Sequence, residues 1–163
     1  MAVTYGTTGY SLTENIQTAL KYSIRITIAF VLIFVLAKIL GLAQFTELRF
    51  INYIIIYPIA YTAVKQVYLG HQHRIEYFNG LSIAFLTCFL GQLWYAVLFF
   101  LYLQIDKPFL DYLVTQLPGK FNLYPGLSSA FILITEGAGL SAIISLTLMQ
   151  YFKWKRGRWN SHA

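Results

Sequence analysis

Acidic side chains are nearly missing from this chain. Six Asp and Glu stand against twelve Lys and Arg in 163 residues, a charged share of 11%, which is too little to solvate the surface of a water-soluble domain. Cysteine is scarcer still. Cys88 stands alone, which excludes an intrachain disulfide and a thiolate metal cluster and gives no redox compartment. Catalytic signatures are lacking as well, with no Walker A loop, dinucleotide fingerprint, HExxH or GxSxG in the sequence. The apolar stretches hold one Glu and no His, so they assemble neither a nucleophile with its base nor a set of carboxylates on a metal. We therefore expect no enzyme and no cofactor. No repeat, low-complexity tract or linker divides the chain, so residues 1–163 read as a single domain.

Apolar residues are what the chain has in quantity. They make up 58% of it, above the roughly 45 to 50% of soluble domains. Aromatics reach 18%, with 13 Tyr and 13 Phe, an excess that suits rings seated at two lipid interfaces. A hydrocarbon core of about 30 Å needs roughly 20 apolar residues in helical form, and four segments qualify, near 23–43, 50–69, 80–103 and 127–152. The expected fold class is all-α, a polytopic membrane protein of four transmembrane helices with one short helix on the outer leaflet. Ser11 and Glu14 read as a capping box leading into the first span. Pro58 should kink the second.

Charge sets the expected orientation. Lys21, Arg25, Lys65, Arg74, Lys153, Lys155, Arg156 and Arg158 fall on the side of the termini, against Lys38, Arg49, Lys107 and Lys120 on the other, where Glu47, Asp106 and Asp111 nearly cancel them. By the positive-inside rule both termini face the cytoplasm of a bacterial inner membrane. The KWKRGR run at 153–158 then belongs beside anionic headgroups. No aromatic platform or reading helix accompanies it, so nucleic acid is not an expected partner. A cleaved leader is the other reading of Lys21 and Arg25 before Ile26–Ala37. Because the apolar run continues past Lys38, whose stem can snorkel, a first span is preferred.

Residues 106–119 form a separate element. Asp106 can cap a helix, Pro108 suits its first turn and Pro118 with Gly119 ends it. Phe109, Leu110, Leu113 and Leu117 share one face, while Asp111, Thr115 and Gln116 share another. This predicts an interfacial helix, with a lid over a substrate entrance as the alternative.

Two sets of residues inside the spans invite a role. The stretch FILITEGAGLSAIIS, 131–145, buries Glu136 in a span. Counting back at about 1.5 Å per residue puts it roughly 25 Å from Lys153, in the outer third of the core. A charge there costs a few kcal/mol unless neutralised, paired or wetted. Lys38, roughly 20 Å outward from Arg25 on the first span, is the expected partner if the first and last spans are neighbours. A structural ion pair of Glu136 with Lys38, a protonated carboxyl bonded to Ser or Tyr, a proton or ion site, and simple water access near the outer surface all fit Glu136. The second set is small residues at four-residue spacing, which let helices approach closely. Gly80, Ala84, Cys88 and Gln92 form one stripe, and Gly137, Ser141 and Ser145 another. Gln92 is placed to bond across the interface. HQHRIE, 71–76, offers His71, His73 and Glu76 but no third nitrogen or thiolate, and His162 lies at the far end, so no metal is expected.

Residues 61–103 resemble the middle of an uncharacterised family of small bacterial four-span membrane proteins built on a domain of unknown function. Tyr61, Ala63, Val64 and Lys65 match the family's Tyr-Ala-Ile-Lys-like end of a second span. Asn79, Gly80, Ala84 and Phe85 roughly match the start of its third. Glu136 followed by Lys153 and Lys155 is similar to the family's last span. The resemblance implies a four-span fold and brings no activity. The resulting expectation is a non-enzymatic protein of the lipid bilayer that associates with itself or with a larger membrane complex, with no identifiable small-molecule substrate. The rival is an oligomeric transporter or proton or ion conductor that uses Glu136.

Overall fold

Residues 12–42, 49–70, 77–116 and 125–160 are described by a computed structural model. Among them are five α-helices and no strand: α1 Leu12–Ile39, α2 Arg49–Gly70, α3 Tyr77–Ile105, α4 Lys107–Gln116 and α5 Pro125–Asn160. Three stretches, Asn15–Ile39, Tyr77–Ile105 and Gly126–Lys153, are long and apolar enough to cross a membrane. Their outward faces carry bare aliphatic rows such as Ile24, Ile28, Leu32 and Leu36 on α1 and Val97, Leu98, Leu101 and Ile105 on α3. Contiguous apolar surface of that kind is a lipid-facing surface, and the chain is a helical, multi-pass membrane protein. The remaining expected span, the second, does form a helix, α2, with Pro58 inside it. Arg49, Asn52, Lys65 and Gln66 dilute its apolar character, and it is not among the three.

Helix ends depart from the expected spans for local reasons. The first helix stops at Ile39, short of residue 43, because Gly41 takes φ 69°. The Gly41 N–H then bonds Lys38 O at 3.1 Å and the Leu42 N–H bonds Ala37 O at 2.8 Å, the paired closure that a left-handed glycine permits at a helix end. The last helix runs further than 127–152. It starts at Pro125, whose fixed φ suits a first turn, and its backbone stays helical through the basic run to Asn160.

The third helix is the hub. It packs along α1 on one side and α5 on the other, and among the described residues α1 and α5 share no contact. The expectation that the first and last spans are neighbours is therefore corrected. Small residues on two faces of α3 explain this, because both flanking helices can approach it closely. Helices α1 and α3 run in the same direction with a constant offset: Thr27 meets Gly91, Phe30 meets Tyr95, Phe34 meets Phe99 and Lys38 meets Tyr102. Helix α2 runs back alongside α1, where the Tyr22 hydroxyl donates to Gln66 Oε1 at 2.6 Å. Helix α5 runs antiparallel to α3. Ile56, Ala60 and Val64 of α2, Ala84 and Cys88 of α3, and Ile144 and Leu148 of α5 fill the middle.

Candidate functional site

Polar side chains within apolar helices are the places where chemistry can occur, so the site is built from them. Glu136 is half-buried on α5 and turns toward α2, where the Tyr53 hydroxyl donates to its Oε1. One residue on, Gly137 O accepts from Gln92 Nε2 of α3 at 3.3 Å. Between these groups lies a cavity of about 30 Å³ lined by Tyr53, Gln92, Tyr95 and Glu136, with Phe30, Ile56 and Leu133 as its apolar wall. A space of that size with several polar partners holds about one water molecule. Such a site can neutralise a carboxyl or relay a proton, and it is too small for an organic substrate.

Lys38 is not part of it. The ion pair expected with Glu136 is replaced by one with Asp106, at the junction of α3 and α4. The ammonium also reaches the Tyr102 hydroxyl and lies over the Tyr102 ring, 4.6 Å from its centroid. The reason is topological. Lys38 occupies the last turn of α1, and parallel packing brings that turn to the end of α3, whereas α5 lies on the far side of α3. Asp106 does two jobs, since its Oδ2 takes Lys38 and Tyr102 while its Oδ1 accepts the Phe109 N–H at 3.2 Å. The hydrogen bond from Lys38, then that from Phe109, hold the carboxyl below its ordinary range. Phe34 faces Phe99, Tyr102 and Phe109 edge-on at 5.5, 5.1 and 6.0 Å. These rings seat the start of α4, whose Phe109, Leu110 and Leu113 are half-buried and whose Asp111 and Thr115 are exposed.

Both small-residue stripes lie at helix interfaces. Gly80, Ala84 and Cys88 are buried on α3, and Gln92 follows half-buried. Gly137, Ser141 and Ser145 are buried on α5, and the Gln92 to Gly137 bond joins the two stripes. A third stripe, not anticipated, packs α1 onto α3: Ala19, Ser23 and Thr27 are buried on α1, and Thr87 and Gly91 are buried on α3. Thr27 Oγ1 lies 3.0 Å from both Ser23 O and Gly91 O. A Cβ on Gly91 would sit 2.8 Å from Ile26 Cβ, so only glycine allows the approach. The four-residue spacing of Ala19, Ser23 and Thr27 was the signal for it.

Comparison with protein-family models, curated proteins and solved structures returns no match to this chain. Its reading therefore rests on the site. Among the described residues no cluster of three His, Cys, Asp or Glu can hold a metal. His71, His73, Glu76 and His162, like the Ser11 cap, Glu47, Lys120 and Leu117, lie outside the described residues. Sequence reasoning allowed Glu136 a Ser or Tyr partner without singling out Tyr53, and missed Tyr102 beside Lys38. It also read Asp106 only as a cap, although Asp106 and Lys38 fall on the same side of the membrane in the charge count.

A second, larger cavity of about 370 Å³ opens at the opposite end of the helices. The end of α2, the start of α3 and the last apolar turn of α5 enclose it, through Val64, Tyr68, Tyr77, Met149, Phe152 and Lys153 among others.

Proposed function

We propose that the chain is a four-span protein of the bacterial inner membrane, with both termini cytoplasmic, that acts without catalysis by associating with itself or with a larger membrane complex. The parallel course of α1 and α3 supports the fourth span: two helices that cross in the same direction require a return between them, and among the described residues α2 is the only helix there. Its 22 residues extend about 33 Å, enough for the core. The observation that carries the function is how the polar groups are used. Tyr22 with Gln66, Thr27 with Gly91, Tyr53 with Glu136 and Gln92 with Gly137 all bond from helix to helix. That leaves broad aliphatic faces for lateral contact. The same four-span reading carries the resemblance of residues 61–103 to the uncharacterised family.

The test is purification in mild detergent, with mass determination of the particle and mass spectrometry of whatever stays bound. A stable homo-oligomer or a stoichiometric membrane partner is expected, and a lone monomer with nothing attached would overturn the reading. In intact cells, with Cys88 replaced by Ser, a cysteine after residue 115 should label from outside and one after residue 163 only after permeabilisation.

The water-sized cavity at Glu136 favours one second reading, a proton or ion path. Proton flux in liposomes that disappears in Glu136→Gln, with abundance unchanged, would establish it. Equal flux in the two proteins and in empty vesicles would remove it.

A further inference from the structure

The 370 Å³ cavity is within the range of small-molecule sites, and its depth and lining narrow the ligand class. Lys153 closes the apolar stretch of α5 and Tyr77 opens that of α3, so the cavity sits at the boundary between hydrocarbon and headgroups. Val64, Met149 and Phe152, all buried, form an apolar floor. Tyr61 stacks on Phe152 with centroids 5.6 Å apart and Tyr68 leans on the same ring at 5.4 Å. These rings stand between α2 and α5 as posts, which is why the two helices do not close on each other. At the rim Gln150 and Lys153 are exposed, and the α5 backbone stays helical past three further cations, Lys155, Arg156 and Arg158.

We propose that this cavity is a binding site for one anionic phospholipid of the bilayer, its phosphate held at Lys153 and the upper part of one acyl chain laid against Val64, Met149 and Phe152. Basic pockets between membrane helices on the cytoplasmic side favour anionic headgroups, and a lysine at the rim acts as a point charge for phosphate. A free anion would use the rim and leave the floor bare, so the apolar floor selects a lipid. The proposal rests on the membrane topology above only for which leaflet supplies the lipid.

Native mass spectrometry of the detergent-purified full chain tests it, with phosphatidylglycerol and phosphatidylcholine of matched chains. Wild type should retain one phosphatidylglycerol about 10-fold more strongly than phosphatidylcholine, a difference of about 1.4 kcal/mol. Lys153→Gln, a change at an exposed side chain, should bring the two lipids level. Gln150→Trp should block the cavity and weaken both, and Lys107→Gln, at the other end, should change neither. Excess glycerol phosphate should not displace the bound lipid. Equal retention of the two lipids by wild type, an unchanged preference in Lys153→Gln, or displacement by glycerol phosphate would each overturn the proposal. If cysteine labelling instead places residue 163 outside while the Lys153-dependent adduct persists, the topology fails and the lipid site stands.

Discussion

The α1–α3 seam and the α2–α5 contact solve the same problem differently. Toward α1 the seam is narrow and closed: Gly91 lies against Ile26 and Ser23, and a threonine hydroxyl bridges the backbones. Behind α3, where α2 and α5 approach each other, the helices meet mainly through rings, Tyr61 and Tyr68 on Phe152 and Tyr53 on Glu136. The first leaves no room. The second leaves a water-sized cavity toward one end and a larger one at the other, with a packed middle between them. In lipid no hydrophobic effect drives helices together, so the closeness of approach decides the strength of the contact. Small residues therefore make the rigid seam, and large rings make the adaptable one.

Substituting the glycines at which α3 meets its neighbours, Gly91 against α1 and Gly137 of α5, is the strongest way to sharpen that contrast. At Gly91 a new Cβ would meet Ile26 Cβ and Cγ2 at 2.8 Å and Ser23 O at 3.2 Å. A β-branched stem and a backbone carbonyl cannot swing aside, so α1 itself must shift. Gly91→Ala should cost about 1–3 kcal/mol, the range for overpacking, and Gly91→Leu should abolish the monodisperse particle. At Gly137 the nearest atoms are Oε1 and Cδ of Gln92, at 2.5 and 2.9 Å, which can turn away, while Gln92 Cβ, at 3.1 Å, needs only a small shift. Gly137→Ala should then lose chiefly the Gln92 bond, about 0.6 kcal/mol for an interhelical hydrogen bond in a membrane. Gly137→Leu exceeds what Gln92 can yield and should impair assembly. Melting of the four variants in detergent measures this, and equal losses for the two alanine changes would erase the distinction between the seams.

The sequence already showed where most helices run and which small residues line α3 and α5. Periodic apolar length and four-residue spacing are local properties, readable without knowing which helices touch. Partner choice is not local. Glu136 and Lys38 were at comparable depths, so a one-dimensional reading paired them. Depth does not say which helices are adjacent, and with α3 between α1 and α5 the two charges find Tyr53 and Asp106 instead. The Schellman turn at Gly41 was legible in kind, since glycine near the end of an apolar run signals a stop. The cavity at Lys153 was not, because it arises from rings on three separate helices.

The smallest expected effects lie at the end of α1, where the correction can be tested directly. Lys38 is 45% exposed and Asp106 19%, so solvent and salt screen the pair and its contribution is modest. Its carboxyl is held below the ordinary value of 3.8. A depressed folded-state value means that the stabilisation is present in full above 3.8 and is lost as pH falls through the lower value of the folded protein. Wild type should therefore melt above Asp106→Asn at neutral pH, with the gap narrowing as the pH drops below 3.8 and as salt is added. Double-mutant cycles then separate the two pairings, since coupling survives only between groups that interact. Lys38→Met with Asp106→Asn should deviate from additivity, because the same carboxylate binds the ammonium and caps α4. Lys38→Met with Glu136→Gln should add, because α3 stands between them. Coupling in the second cycle and none in the first would return Lys38 to Glu136 and require α1 to lie beside α5.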